Sequence, residues 1–315
     1  DDDIPGYEFD STAALSTTEG GGSDSVALRL ATSPSADVII GITSLDTTEG
    51  TVDVGSLTFT ASDWNVWQSF AVSGVDDFVV DGDVSFTIEL AVTSDDTDYA
   101  SLDPSDIEAV NADDDVANVI VSPTSGLSTT EDGGSDTFTV VLASEPSADV
   151  VINIASENNN EGSVNPTSVT FTASDWNSEQ TVTVTGEDDF IVDGLQSFAV
   201  GIATESTDLD YDSSVVSDVA VQNADNDTAG ITVDPTTGLN TTESGGTDTF
   251  SVALDSQPIA DVVISVSSSD SGEGVVDVTS LTFTATDWNV QQTVTVTGQD
   301  DSAADGSQGY TVTLT

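Results

Sequence analysis

The chain of 315 residues has no cysteine, no histidine and no methionine, and Arg29 is its one basic residue. Each absence removes a class of function. Without thiolate or imidazole ligands, structural zinc, copper, haem and iron–sulfur sites lose their usual donors. Without cysteine there can be no disulfide. An extracellular chain of this composition then needs another staple, and a bound metal is the one available. No signal-peptide pattern and no apolar run of membrane-spanning length is present.

What the chain has in excess is negative charge. Its 58 acidic residues set a net charge of −57, which repels nucleic acid and anionic membrane surfaces. It suits divalent cations, a high-salt medium, or both. Charge of one sign often accompanies disorder. Here 37% of residues are hydrophobic and alternate regularly with polar ones, so the chain reads as folded.

One unit recurs without net insertion or deletion. Trp64, Trp176 and Trp288 each sit in an Asp-Trp-Asn turn, 112 residues apart. Glu19, Glu131 and Glu243 keep the same step, as do Asp77, Asp189 and Asp301, and Asp81, Asp193 and Asp305. A repeat of about a hundred residues is the size of a whole domain rather than a solenoid coil. The expected boundaries place residues 1–3 at the end of a preceding repeat, then repeats at 4–115, 116–227 and 228–315. The third is expected to be C-terminally incomplete, and the whole to be a window on a longer protein.

The second repeat shows the strand pattern most clearly. Apolar residues alternate at Phe138, Val140 and Leu142, at Val150, Ile152 and Ile154, and at Val169, Phe171 and Ala173. They continue at Val182 and Val184, at Phe198, Val200 and Ile202, and at Val219 and Val221, with Ile120 and Val121 opening the series. Short period-two runs rich in Val, Thr and Phe, separated by Gly, Asn, Asp and Ser, are half-buried strands. Seven per repeat is the count of an immunoglobulin-like β-sandwich. The fold class is therefore all-β, with tandem seven-stranded sandwiches arranged as a rod.

Strand parity places the acids. If successive strands reverse, the first, third and fifth connections all lie at the far end of a sandwich, together with the end of the seventh strand. In the second repeat these segments carry Glu131; Glu157 and Glu161; Glu187, Asp188, Asp189 and Asp193; and Asp225 and Asp227. The first repeat offers Glu19, Glu49, Asp76, Asp77, Asp81, Asp113 and Asp115, and the third Glu243, Glu273, Asp300, Asp301 and Asp305. Like charges so converged repel. Either they stay hydrated or a cation holds them. Ca²⁺, with roughly six to eight oxygen ligands in flexible geometry, suits such a cluster better than Mg²⁺.

The Thr-Thr-Glu of residues 17–19 and 129–131, the Asp-Asp-Phe-x-Val-Asp-Gly loop of 76–82 and 188–194, and the terminal Asp-x-Asp resemble the Calx-beta repeat. The resemblance covers every unit. It implies a β-sandwich binding several Ca²⁺ at the end facing the next domain. Carried over, it implies Glu131, Asp188, Asp189, Asp193, Asp225 and Asp227 as ligands. The acidic run of that family after the Asp-Asp pair is a single Asp-Gly here.

These readings lead to a structural, non-enzymatic, secreted or cell-surface protein: an adhesin stalk, matrix or fibre component stiffened by Ca²⁺ at its junctions. Its expected partners are calcium ions, neighbouring repeats, identical subunits of a fibre, and a cell-surface or glycan target. The alternative is a glycan- or protein-binding array whose acidic surface serves salt tolerance. No repeat carries a private acid pair in a large loop, as a glycosidase would. Asp63, Asp175 and Asp287 are expected to cap the turn before each Trp. Those Trp are expected to close the sandwich ends. Trp67, where other repeats have Glu179 and Gln291, is expected at the surface.

Overall fold

A computed structural model of the chain describes residues 4–300 and 306–315. Asp301, Asp305 and residues 1–3 therefore lie outside the described residues. No described helix is long and apolar enough to cross a membrane. The described elements are all strands.

The first sandwich comprises β1 (Tyr7–Phe9), β2 (Leu15–Thr18), β3 (Ser23–Leu30), β4 (Val38–Ser44) and β5 (Gly50–Val52). It continues with β6 (Ser56–Phe59), β7 (Gln68–Gly74), β8 (Val84–Ser94) and β9 (Ile107–Ala112). The second repeats this with β10 (Val119–Ser122), β11 (Leu127–Thr130), β12 (Ser135–Leu142), β13 (Val150–Ser156) and β14 (Gly162–Asn165). Its remaining strands are β15 (Ser168–Phe171), β16 (Gln180–Gly186), β17 (Gln196–Ser206) and β18 (Val219–Ala224). The third has β19 (Ile231–Asp234), β20 (Thr247–Leu254), β21 (Val262–Ser268) and β22 (Gly274–Val276). It closes with β23 (Ser280–Phe283), β24 (Gln292–Gly298) and β25 (Val312–Leu314).

In the second sandwich a four-stranded sheet, β10-β12-β16-β14, faces a five-stranded one, β11-β18-β17-β13-β15. The seven expected strands thus become nine. The chain after β10 turns at Gly126, whose φ is +87°, and crosses to the opposite sheet. There β11 pairs in parallel with β18. The other added strand, β14, pairs along β16.

Alternation sets the faces. Phe138, Val140 and Leu142 of β12 point inward and are buried. The intervening residues face out, where Thr137 opposes Thr183 and Thr139 opposes Thr181. Threonine pairs of this kind contribute about 0.2–1 kcal/mol each. Tyr211 plugs one end: its hydroxyl donates to Ser144 O at 2.8 Å and accepts from Ser144 N at 3.1 Å. The second core gathers 18 buried residues against nine in the third, so the third sandwich is visibly less closed among the described residues.

One glycine is held by packing rather than by its backbone angle. A Cβ on Gly162 would lie 2.4 Å from Cζ of Phe198, whose ring sits in the core. Gly162→Ala should cost about 1–3 kcal/mol through overpacking. The second sandwich would then melt several degrees lower, at about 4–8 °C per kcal/mol. Thermal unfolding followed by circular dichroism checks this. An unchanged melting temperature would show that the Phe198 ring can swing aside.

Candidate metal centre

The turn after β2, the β4–β5 and β7–β8 connections and the end of β9 meet at one end of the first sandwich. There Glu19, Asp114 and Asp115 form one group of carboxylates, and Glu49, Asp77 and Asp81 a second. The second sandwich repeats both, as Glu131, Asp225 and Asp227, and as Glu161, Asp189 and Asp193. Within each group one oxygen per residue lies within 4.8 Å of the others. Parity of the strands is the physical reason four distant segments converge.

Every group contains one buried glutamate. Glu19 and Glu131 are 2% and 3% exposed. Glu19 Oε2 is buried with no hydrogen-bond partner, as are Asp115 Oδ2 and Asp227 Oδ2. A buried carboxylate oxygen without a donor is costly. Burial first, and then the charges of Asp113, Asp77 and Asp81, push the Glu19 carboxyl up to about 7. Burial, with Asp225, Asp189 and Asp193, does the same to Glu131, also to about 7. Glu49, Asp81, Asp115, Glu161 and Asp227 are likewise raised, by burial first and neighbouring carboxylates second. A cation bound here would reverse each of these penalties. The donor set is all oxygen, which fits a hard divalent ion.

Other groups hold the ligands in place. The buried amide of Asn223 donates through Nδ2 to Glu187 O at 3.2 Å and to Glu161 Oε2 at 3.4 Å. Its Oδ1 accepts from Thr129 Oγ1 at 2.9 Å. Asn111 does the same between Thr17, Val75 and Glu49 in the first sandwich. Asp225 accepts from Gly194 N and Asp227 N, both at 2.7 Å. These donors hold its carboxyl below the usual range. Asp113 accepts from Gly82 N and Asp115 N in the same way, so it braces the loop while keeping further lone pairs on both oxygens.

Asp76 and Asp188 act at a distance: their charges raise Asp115 and Asp227 respectively. Glu157 and Glu187 lie exposed beside the second groups. In the third sandwich Glu243 is exposed, unlike Glu19 and Glu131, Glu273 is half-buried and Asp300 is exposed. Asp114 joins the first group although the sequence pattern does not single it out as a ligand. Its signal was faint, because the equivalent residue is Asn226, whose backbone N–H donates to Glu131 Oε2 at 3.1 Å.

The same loop touches the next sandwich. Asp77 Oδ1 accepts from Val79 N at 2.9 Å, a local turn that leaves Phe78 between them with φ +68°. The Phe78 ring lies 6.0 Å from the Trp176 ring, and Phe78 O accepts from Glu145 N at 2.8 Å. The next junction repeats this: Phe190 lies 6.1 Å from Trp288, and Phe190 O accepts from Gln257 N at 2.8 Å. Trp176 and Trp288 are therefore half-buried plugs that also receive a ring from the preceding repeat. Asp63, Asp175 and Asp287 cap their turns as expected, each accepting from Thr60, Thr172 or Thr284. Trp67 is 42% exposed, with Arg29 stacked over its ring at 4.6 Å.

Phe190→Ala leaves every carboxylate in place and deletes an aromatic contact of about 0.5–1.5 kcal/mol. We expect the sandwiches to melt as before while the second junction loosens. Small-angle scattering would show a broader distance distribution. An unaltered profile would show that the backbone bond alone sets the junction.

No protein-family model and no curated protein matches the chain. Among solved structures it is similar to the calcium binding domain CBD12 of CALX1.1, at 17% identity and TM-score 0.34, over 69% of this chain and 99% of that one. It is similar to CBD12 from CALX1.2, at 18% identity and TM-score 0.32, over 65% and 95%. A third is the S-layer protein SbsC domains 4 and 5, at 16% identity and TM-score 0.27, over 59% and 75%. The all-β architecture of tandem sandwiches is read from the strands and sheets themselves.

Proposed function

We propose that this chain is a structural segment of a secreted or surface-attached protein, and that Ca²⁺ bound at the ends of its sandwiches stiffens it into a rod. The observation that carries this reading is the pairing of two carboxylate groups at each sandwich end: one holds the buried, partnerless oxygens of Glu19 and Asp115 or of Asp227, and the other takes Asp77 and Asp81, or Asp189 and Asp193, from the loop that bears Phe78 or Phe190. The ion and the inter-repeat contact share one backbone segment. An ion on Asp189 and Asp193 would fix the loop presenting Phe190 to Trp288, and so favour one inter-repeat geometry. The Calx-beta resemblance of the loop sequence supports the same ion. Extracellular calcium modules bind at about 10⁻⁴ to 10⁻³ M, which matches calcium levels outside cells.

The test is scattering of the metal-free chain at fixed high ionic strength, with Ca²⁺ or Mg²⁺ added. Lengthening specific to Ca²⁺ is expected. A profile that responds only to NaCl would overturn the reading.

A second reading rests on a different observation. The four carboxylate groups found among the described residues use twelve acids, a minority of the 58 in the chain, so most of the charge serves something other than these ions. We read that remainder as a solvated surface suited to high salt.

A further inference from the structure

The two junctions are copies in sequence but not in charge. At the first, Glu19, Asp114 and Asp115 form the group beside the linker to β10. Burial raises Glu19 and Asp115 first, and the nearby charge of Asp113 adds to both. At the second junction the matching group is Glu131, Asp225 and Asp227. Asp225 is the counterpart of Asp113, one repeat of 112 residues later, and Asn226 stands where the first junction has Asp114. The first linker site therefore gathers four carboxylates and the second three. The other two groups keep the same ligands, Glu49, Asp77 and Asp81 against Glu161, Asp189 and Asp193.

A second exchange accompanies the first. Gly20, in the turn after β2, faces the Asp114 carboxylate: a Cβ there would lie 2.9 Å from Asp114 Oδ2. The counterpart of Gly20 is Asp132, which is exposed and accepts from the hydroxyl of Thr130. A bare glycine thus makes room for the fourth carboxylate. Where that carboxylate is replaced by an amide, an aspartate takes the glycine's place. The buried oxygens differ as well. In the first group both Glu19 Oε2 and Asp115 Oδ2 lack a partner. In the second, Asp227 Oδ2 lacks one, but Glu131 Oε2 accepts from Asn226 N at 3.1 Å.

We propose that the Gly20–Asp114 pair makes the first junction the tighter calcium site, so that the chain stiffens in two steps as calcium rises, the first junction before the second. This rests on the reading that calcium occupies these groups. Calcium affinity is tuned by the charge of the ligands and the rigidity of the site. Asp114 offers an oxygen to the ion itself. Asp132 lies outside the second group and is exposed, where salt screens its charge. Asp115 immediately precedes residues 116–118, which lead to β10, and Asp227 precedes residues 228–230, which lead to β19. Each ion therefore fixes the exit of its own linker. Between the two binding midpoints the first linker is held while the second still turns.

Hydrogen exchange followed across a calcium titration of the full chain, at fixed high NaCl and pH 8, reads each site separately. Protection of residues 112–116 should reach half its maximum at about tenfold less calcium than protection of residues 224–228. Asp114→Asn should raise the first midpoint to that of the second. Asp132→Gly combined with Asn226→Asp should lower the second midpoint to that of the first. The segments carrying Glu49 and Glu161 are the internal reference, and their midpoints should move far less in both variants. Melting in chelator checks that each variant folds. Equal midpoints in the unaltered chain, the reverse order, or midpoints indifferent to both variants would overturn the unequal junctions while leaving calcium binding in place. No calcium-dependent protection at any of the four groups would overturn the calcium reading itself, and the unequal junctions with it.

Discussion

Millimolar calcium should raise the melting temperature of the metal-free chain by about 10–40 °C. The size follows from mass action. At 10 mM ion, sites with dissociation constants of about 10⁻⁴ to 10⁻³ M each add about 1.4–2.7 kcal/mol to the folded state. The second sandwich has two carboxylate groups, so it gains about 3–5 kcal/mol. For a domain of this size that is about 4–8 °C per kcal/mol. Glu131→Gln should remove roughly half of the shift for that sandwich, and adding Glu161→Gln nearly all of it. Scanning calorimetry with Ca²⁺, Mg²⁺ and NaCl arms reads the result. A shift that NaCl reproduces in full would assign the acids to solvation.

The second large effect is a pH dependence that changes sign with calcium. Glu19 and Glu131 are raised from 4.5 to about 7 in the folded chain, first by burial. Between those values the folded chain holds a proton that the unfolded chain lacks. Their favourable contribution is fully present below about 4.5 and is lost as pH rises through about 7. Both side chains are nearly fully buried at a sandwich end that opens to solvent, so after screening the change is on the order of 1–3 kcal/mol for each glutamate. The metal-free first and second sandwiches should therefore become more stable as pH falls from 8 towards 5. Asp208 and Asp225 have the opposite sign, with carboxyls held low by backbone donors. Their contribution is lost only at lower pH, as it falls through their depressed values, so the two windows separate.

With calcium bound the carboxylates must be ionised, and protons compete with the ion. Stability in calcium should then fall over the same pH range. Glu131→Gln is diagnostic, since its neutral amide should flatten the metal-free dependence of the second sandwich while weakening the response to calcium. Melting curves at pH 5, 6, 7 and 8, in chelator and in calcium, test both signs. A metal-free stability that does not change between pH 5 and 8 would show that water reaches these glutamates.

Most of this arrangement is legible in the sequence because two periods coincide. The two-residue alternation of Phe138, Val140 and Leu142 identifies a strand and its buried face, and the 112-residue step identifies the unit. Parity alone then brings Glu131, Glu161, Asp189 and Asp225 to one end. What escapes is what alternation does not encode. The sheet switch that creates β11 depends on a turn at Gly126, and a four-residue run such as Leu127–Thr130 is too short to announce a separate strand. Asn111 and Asn223 escape because a buried amide looks like any polar residue until its partners are known. Asp113 and Asp225 have a second role that charge alone does not announce, since each also accepts two backbone N–H bonds that brace the loop. The contact of Phe78 with Trp176 escapes too, because sequence patterns inside a repeat do not say what its loops meet in the next one.

Direct calorimetric titration of Ca²⁺ into the metal-free chain, in high NaCl at pH 8, decides whether the carboxylate groups hold calcium. Saturable binding at two or more sites in the range of about 10⁻⁴ to 10⁻³ M is expected. That capacity should drop when Glu131 and Glu161 are both changed to glutamine. A titration without saturable heat, or one unaltered by that double change, would contradict it and leave the carboxylate groups as hydrated surface.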